Sequence, residues 1–174
     1  MAIIGFDVSS TATGWAIIGD NGAYKASGTI MLPKNAASKQ EKAKLKKSEI
    51  SYWHYHTGRL HLHARRVATL LGSMPGITTA VVEDVVFKTG RNTGSLSTLT
   101  LLAMYFGITV AVCQEFGLEL VVQLPSKTRK AHGLPGNAEK ELVLSKARSI
   151  VGKHNKATNP DELDAIALAY SFIS

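Results

Sequence analysis

The chain has 174 residues and a mass of 18.7 kDa, which at roughly 100 to 200 residues per domain fits a single domain over residues 1–174 and excludes a doubly lobed enzyme. Twenty Lys and Arg against 13 Asp and Glu give a formal charge of +7, which points to a polyanionic partner such as nucleic acid, and 45% hydrophobic residues exclude a wholly disordered chain. No apolar run reaches the ~18 residues of a membrane span, no signal-like N-terminus is visible, and Cys113 is the only cysteine, so the expectation is a cytoplasmic protein without internal disulfides or a cysteine-rich zinc site.

Ala2 to Asp7 reads as a strand. The turn formers Val8-Ser9-Ser10-Thr11-Ala12-Thr13-Gly14 follow, the strand pattern resumes at Trp15 to Ile18, and Tyr24 to Leu32 is a third strand candidate. Three consecutive antiparallel strands result. Lys34 to Lys47 holds six lysines against the single Glu41 and reads as an exposed basic segment at 34–47. From Ile50 the apolar positions Trp53, Leu60, Ala64, Val67 and Leu71 follow helical spacing to about Gly72. His54, His56, His61 and His63 lie on this helix in pairs seven apart, too far for one ion, and read as a polar outer face. Thr79 to Phe87 is a further strand, Ser95 to Cys113 an uncharged helix, and Leu118 to Leu124 a strand closed by Pro125. Helices are predicted from Ala138 to Val151 after Asn137, and from Pro160 to Phe172 after Asn159, with Asn capping and Pro at the first helical position. The order predicts an α/β fold with a mixed five-stranded sheet, three strands antiparallel and then two parallel, with helices on both faces. The functional site is expected at the C-terminal ends of the central strands.

Carboxylates mark that site. Asp7 closes the first strand, Glu83 lies inside the fourth, and Asp161 and Asp164 share one face of the last helix at i, i+3. Carboxylate oxygens suit hard cations such as Mg²⁺ or Mn²⁺, and several of them can bridge two ions. For Asp161 a plain interaction with the helix macrodipole is the competing reading. A carboxylate within Val81-Val82-Glu83-Asp84-Val85-Val86 is costly unless paired or metal-bound. Glu83 and Asp84 point to opposite faces, and periodicity leaves open which one faces the site.

The runs Gly5-Phe6-Asp7-Val8-Ser9-Ser10-Thr11-Ala12-Thr13-Gly14-Trp15, Val82-Glu83-Asp84-Val85, Asn137-Ala138-Glu139-Lys140 and Asp161-Glu162-Leu163-Asp164-Ala165-Ile166-Ala167 resemble, in order and separation, the RuvC-type Holliday-junction resolvases. The resemblance implies an RNase H-like nuclease fold, a homodimer, and cleavage of four-way DNA junctions with two Mg²⁺ ions per site, Mn²⁺ also serving. It maps the four acids of that family onto Asp7, Glu83, Asp161 and Asp164 and places Lys140 near the scissile phosphate, with Lys127 or Lys130 as a second lysine. Ser10, Thr13 and Gly14 match the small-residue turn after the first acid. This chain departs from the family at Val8-Ser9, where many members carry Pro-Gly, and at Phe87, one residue later than the family's loop aromatic.

Phe87, Lys88 and Arg91 would follow the fourth strand beside the acids, an aromatic and two cations suited to DNA at an opened junction. A loop whose Phe plugs the core is the plainer alternative. The 34–47 lysines would add salt-sensitive affinity along a DNA arm or remain a solvated run. The uncharged helix could pack on the sheet and on a second subunit, or simply be buried in one chain. Two other function classes compete with the nuclease: a phosphotransferase of the actin-like type, which needs two lobes, and a noncatalytic binder of branched DNA.

Overall fold

The computed structural model describes residues 1–32, 43–44, 46–47, 52–85, 96–152 and 159–173. Its elements are β1 (Ala2–Asp7), β2 (Ala12–Gly19), β3 (Tyr24–Met31), α1 (Tyr52–Ser73), β4 (Ile77–Glu83), α2 (Leu96–Glu115), β5 (Glu119–Gln123), α3 (Pro125–Ala131), α4 (Lys140–Val151) and α5 (Pro160–Tyr170). The sheet order is β3-β2-β1-β4-β5. β1 pairs antiparallel with β2 and β2 with β3, while β4 runs parallel to both β1 and β5. This is the mixed sheet that the element order predicts.

Strand alternation divides the core. Ala2, Ile4, Phe6 and Val8 of the β1 run, with Ala80 and Val82 of β4, pack against Leu60, Val67 and Leu71 of α1 and Leu101, Tyr105 and Val112 of α2. The intervening residues face the other way: Ile3, Ile18 and Val81 meet Leu168 and Ala169 of α5. Ala16 joins α4 and α5 through Val143, Leu144, Leu163 and Ile166. Period-2 strands between two helical layers require apolar residues on both faces, which is why β1 and β4 are apolar almost throughout.

Four expectations change. His56 and His63 are 6% and 0% exposed, so these two histidines face inward, whereas His61 is exposed on the outer face. His63 Nε2 lies 2.9 Å from Thr109 Oγ1 and its ring meets Tyr105 edge-on. Burial lowers the imidazole to about 4, so it is neutral at pH 7. α4 begins at Lys140 with Glu139 at its N-cap, because Ala138 N–H is already bonded to the Pro135 carbonyl in a preceding turn. Pro125 does not merely end β5; it opens α3 from the first helical turn, a position its fixed φ favours. Finally, Thr98–Glu115 is long and apolar enough to cross a membrane by length and composition. Here it lays Leu101, Tyr105, Thr109, Val112 and Cys113 into the fold.

Candidate active site

Parity decides which carboxylates face the site. Asp7 follows Ile3 and Gly5 on the α5 side of β1, and Glu83 follows Val81 on the same side of β4. Glu83, not Asp84, therefore joins Asp7. The two strands are parallel neighbours, so their C-terminal ends coincide and both carboxylates emerge at one edge.

The α5 acids arrive by close docking of that helix. An ideal Cβ on Gly5 would lie 2.6 Å from the Ala165 carbonyl oxygen and 2.9 Å from Ala169 Cβ. One on Gly14 would overlap the Asp161 carbonyl. Only glycine lets the helix lie so near β1 and β2, and Gly14 thus seats α5 rather than a phosphate. Asn159 Oδ1 accepts from Asp161 N–H at 3.0 Å, the cap predicted from the Asn-Pro pair. Asn159 Nδ2 donates to Thr29 Oγ1, and Ser27 and Thr29 hydroxyls donate to the Glu162 carboxylate at 3.2 and 3.3 Å. The N-terminus of α5 is thereby tied to the edge strand β3.

Asp7, Glu83 and Asp164 line a cavity of about 370 Å³ together with Lys140, Arg129, Ser126, Thr128, Leu124, Pro125 and Val143. Lys140 Nζ is 2.5 Å from Asp164 Oδ2. Asp161 sits one turn earlier, outside the lining but near enough for its charge to act on Asp7 and Asp164. Burial, then the charges of Glu83 and Asp164, push the Asp7 carboxyl up to about 7. Burial and Asp164 push Glu83 up to about 7 against the opposing pull of Arg129 and Lys140. Burial also raises Asp164 despite its ion pair. Burial acts to lower Lys140, but the hydrogen bond and charge of Asp164 outweigh it and the net shift is upward. Like charges held together in a low-dielectric edge produce this pattern, which clusters at functional sites.

The donor set is carboxylate oxygen throughout, with more crowded negative charge than its two cations neutralise, and a hard divalent cation fits it chemically. Among the described residues no three His, Cys, Asp or Glu side chains are grouped tightly enough to cage an ion by themselves. A bound ion would complete its shell with water or phosphate oxygens.

The second cation of the cavity is Arg129, which sequence reasoning passed over for its neighbours. Lys127 and Lys130 are exposed on α3 and outside the lining, whereas Arg129 turns inward and donates to the Gly136 carbonyl at 3.1 Å. The available signal was Pro125, whose fixed φ suits the first turn of a helix. α3 is braced from below: Gln123, 2% exposed, donates to Thr128 Oγ1 at 3.0 Å and Ser171 Oγ at 2.5 Å. His132 bonds the Ala167 carbonyl and stacks on Tyr170. Ser10 lies in the turn beyond Asp7, outside the cavity lining, and its carbonyl accepts from Arg59 of α1 at 2.7 Å. Ser9 Oγ organises the same turn, accepting from Ala12 N–H and donating to Ala12 O. Phe87, Lys88 and Arg91, and most of the 34–47 segment, lie outside the described residues.

No family model matches the chain. Among curated proteins it is similar to the crossover junction endodeoxyribonucleases RuvC of Rickettsia prowazekii, at 26% identity, and Rickettsia felis, at 25%. Each match covers 98% of this chain and 96% of the relative. Among solved structures it is similar to Thermus thermophilus RuvC, with a TM-score of 0.71 and 20% identity over 98% of this chain and 92% of that one. Thermus thermophilus RuvC in complex with Holliday junction substrate gives a TM-score of 0.70 at 19% identity, covering 98% and 91%. Those two structures share the fold of this chain, the mixed five-stranded sheet with helices on both faces, and the sequence similarity to the RuvC crossover junction endodeoxyribonucleases of Rickettsia extends over nearly the whole chain.

Proposed function

We propose that the protein is a metal-dependent, structure-selective DNA endonuclease that resolves four-way junctions by paired symmetric nicks, working as a homodimer. The observation that carries this reading is the convergence of Asp7, Glu83 and Asp164 with Lys140 and Arg129 around one cavity, in a chain homologous to RuvC. A noncatalytic binder of DNA gains nothing from buried carboxylates facing phosphate, and a phosphotransferase of the two-lobed type needs a second lobe.

Asp7, Glu83, Asp161 and Asp164 would hold Mg²⁺ or Mn²⁺. When bound, two such ions supply a water nucleophile at neutral pH and charge stabilisation at the leaving oxygen. The protein's own groups do the rest. Lys140 and Arg129 draw the nonbridging oxygens of the phosphodiester into the cavity and hold them by charge-assisted hydrogen bonds. Water adds to phosphorus in line as the bond to the 3′ oxygen breaks, leaving 5′-phosphate and 3′-hydroxyl ends. The interlocked β1, β4 and α5 fix the acids relative to the bound phosphate, which supplies the positional part of the rate enhancement. α2, with Met104 exposed away from its buried stripe, supports the homodimer by offering an apolar face. Lys88, Arg91, Lys127, Lys130 and the 34–47 lysines would hold the arms by phosphate contacts, and Phe87 would stack at the junction centre.

The test is cleavage of an end-labelled four-way junction beside linear duplex and a three-way fork, with Mg²⁺ or EDTA, using Asp7→Asn as control. Symmetric nicks confined to the four-way junction and dependent on metal and Asp7 are expected. Cutting of every branched substrate would assign a broader branched-DNA nuclease, and tight binding without any cut would assign the binder.

A further inference from the structure

Glu162 follows Asp161 on α5 but lies outside the cavity lining. At about 100° per residue its side chain leaves the helix roughly 200° from that of Asp164, and it meets the edge strand β3. It is half-buried and makes no ion pair among the described residues. Its carboxylate instead accepts from two hydroxyls, Ser27 Oγ at one oxygen at 3.2 Å and Thr29 Oγ1 at the other at 3.3 Å. An ionised carboxylate only accepts, so it sets the direction of each hydrogen bond behind it. The single proton of each hydroxyl goes to Glu162. Ser27 Oγ is left to accept from the Tyr24 hydroxyl at 3.0 Å, and Thr29 Oγ1 accepts from Asn159 Nδ2 at 2.9 Å. Asn159 in turn caps Asp161 N–H. Two consecutive residues of the first turn of α5 are therefore held to β3, Asp161 through its amide and Glu162 through its side chain.

The strand register gives this network its leverage. Thr29 lies opposite Gly14 on the β2–β3 ladder, and Ser27 lies opposite Ala16. Gly14 is where the Asp161 carbonyl rests on the sheet. A glycine sets the height of the helix there but, having no side chain, does not resist rotation about the helix axis. The hydroxyl pair on the next strand does. With side chains reaching about 5–6 Å from the axis, a roll of about 10° carries a carboxylate through about 1 Å. Asp161 already lies outside the cavity lining, so its share in binding an ion depends on this angle.

We propose that Glu162 is a positioning residue: its two hydroxyl contacts with β3 fix the roll of α5 and so hold Asp161 and Asp164 in register with Asp7 for metal binding. The inference rests on the metal-dependent nuclease reading above, and it gives Glu162 no contact with metal or DNA.

The experiment titrates the full-length protein with Mn²⁺ by calorimetry in the absence of DNA, then measures single-turnover cleavage of a four-way junction across a Mg²⁺ series. Groups that orient metal ligands contribute about 10- to 100-fold in metal affinity. Glu162→Ala should accordingly weaken Mn²⁺ binding about tenfold and raise the Mg²⁺ needed for half-maximal rate by a similar factor, with metal-free junction Kd unchanged. Glu162→Gln can set Oε1 toward Thr29 and Nε2 toward Ser27, whose proton then turns to Tyr24, so it should stay within about twofold of the unaltered protein. Ser27→Ala, the loss of one hydroxyl, should weaken Mn²⁺ binding about threefold by itself, so the test does not depend on how Glu162→Ala folds. In the Glu162→Ala background the same change should add nothing. A Glu162→Ala protein with lowered Tm but unaltered metal titration, a Glu162→Gln protein as weak as Glu162→Ala, or additive losses would each overturn the proposal. Absence of both Mn²⁺ binding and junction cleavage in the unaltered protein would instead remove the nuclease reading and this inference with it.

Discussion

Gly5→Ala probes the seating of α5 directly. The added carbon would stand 2.6 Å from the Ala165 carbonyl oxygen, whereas ordinary contact begins near 3.4 Å, so the helix must lift by about 0.8 Å. The obstacle is backbone, with Ala169 N also at 2.9 Å, and no flexible side chain can absorb the overlap. Asp164 is the residue before Ala165 and moves with it. Misplacing a reacting group by about 1 Å costs on the order of 100-fold in rate, so junction cleavage should fall roughly 30- to 100-fold while binding, carried by peripheral cations, changes little. Overpacking of this kind costs about 1–3 kcal/mol, a fall in Tm of roughly 3–10 °C for a chain of this size. Gly14→Ala, where the Cβ would overlap the Asp161 carbonyl, should be harsher. Gly58→Ala is the matched control: it lies on the exposed face of α1 with nothing within 4 Å of its Cβ, and helix propensity should stabilise it by about 1 kcal/mol without altering cleavage. Tm by calorimetry and single-turnover cleavage on the same preparations decide the matter. Gly5→Ala with unaltered rate and Tm would refute the claim that close helix–strand approach sets the acids.

Asp7, raised from 3.8 to about 7, binds its proton more tightly folded than unfolded, so its contribution to stability is present below pH 3.8 and is lost as pH rises through 7. Metal-free protein should therefore lose Tm across that window relative to Asp7→Asn, and Mg²⁺ should restore it at pH 8; parallel pH–Tm curves would contradict this. Lys140→Ala, which removes the partner of Asp164, should lower turnover at least tenfold with little change in junction Kd, as titration and single-turnover rates will show. Gln123→Met keeps the buried volume but removes the donor to Thr128 and Ser171; a several-fold rate loss is expected, largely absent when Arg129→Ala is already present, whereas an additive loss would indicate general destabilisation. Replacing the six lysines between 34 and 47 by serine should flatten the slope of log K against log salt, and an unchanged slope would place that segment away from DNA.

Much of this protein is legible in its residues taken in order. Apolar, β-rich runs bounded by turn formers, the Asn159-Pro160 cap and the uncharged run from Ser95 mark the strands and helices in order, because strand and helix signals are local properties of sequence. Asp7 at the end of β1 is equally visible, and so is the Glu83-Asp84 pair stranded in an apolar run, although the sequence places Glu83 inside its strand where β4 in fact ends at that residue. Other features depend on partners distant in the chain. The inward turn of His63 follows from packing against Thr109 and Tyr105 of α2, and α3 from a proline whose helical and terminating roles look alike in sequence. Arg129 displaces Lys127 and Lys130 from the cavity only once Gln123 and His132 lock the phase of that short helix. The choice between Glu83 and Asp84 is likewise tertiary: either phase buries valines, and only the seating of α5 on Gly5 and Gly14 makes one face of the sheet the face of the acids.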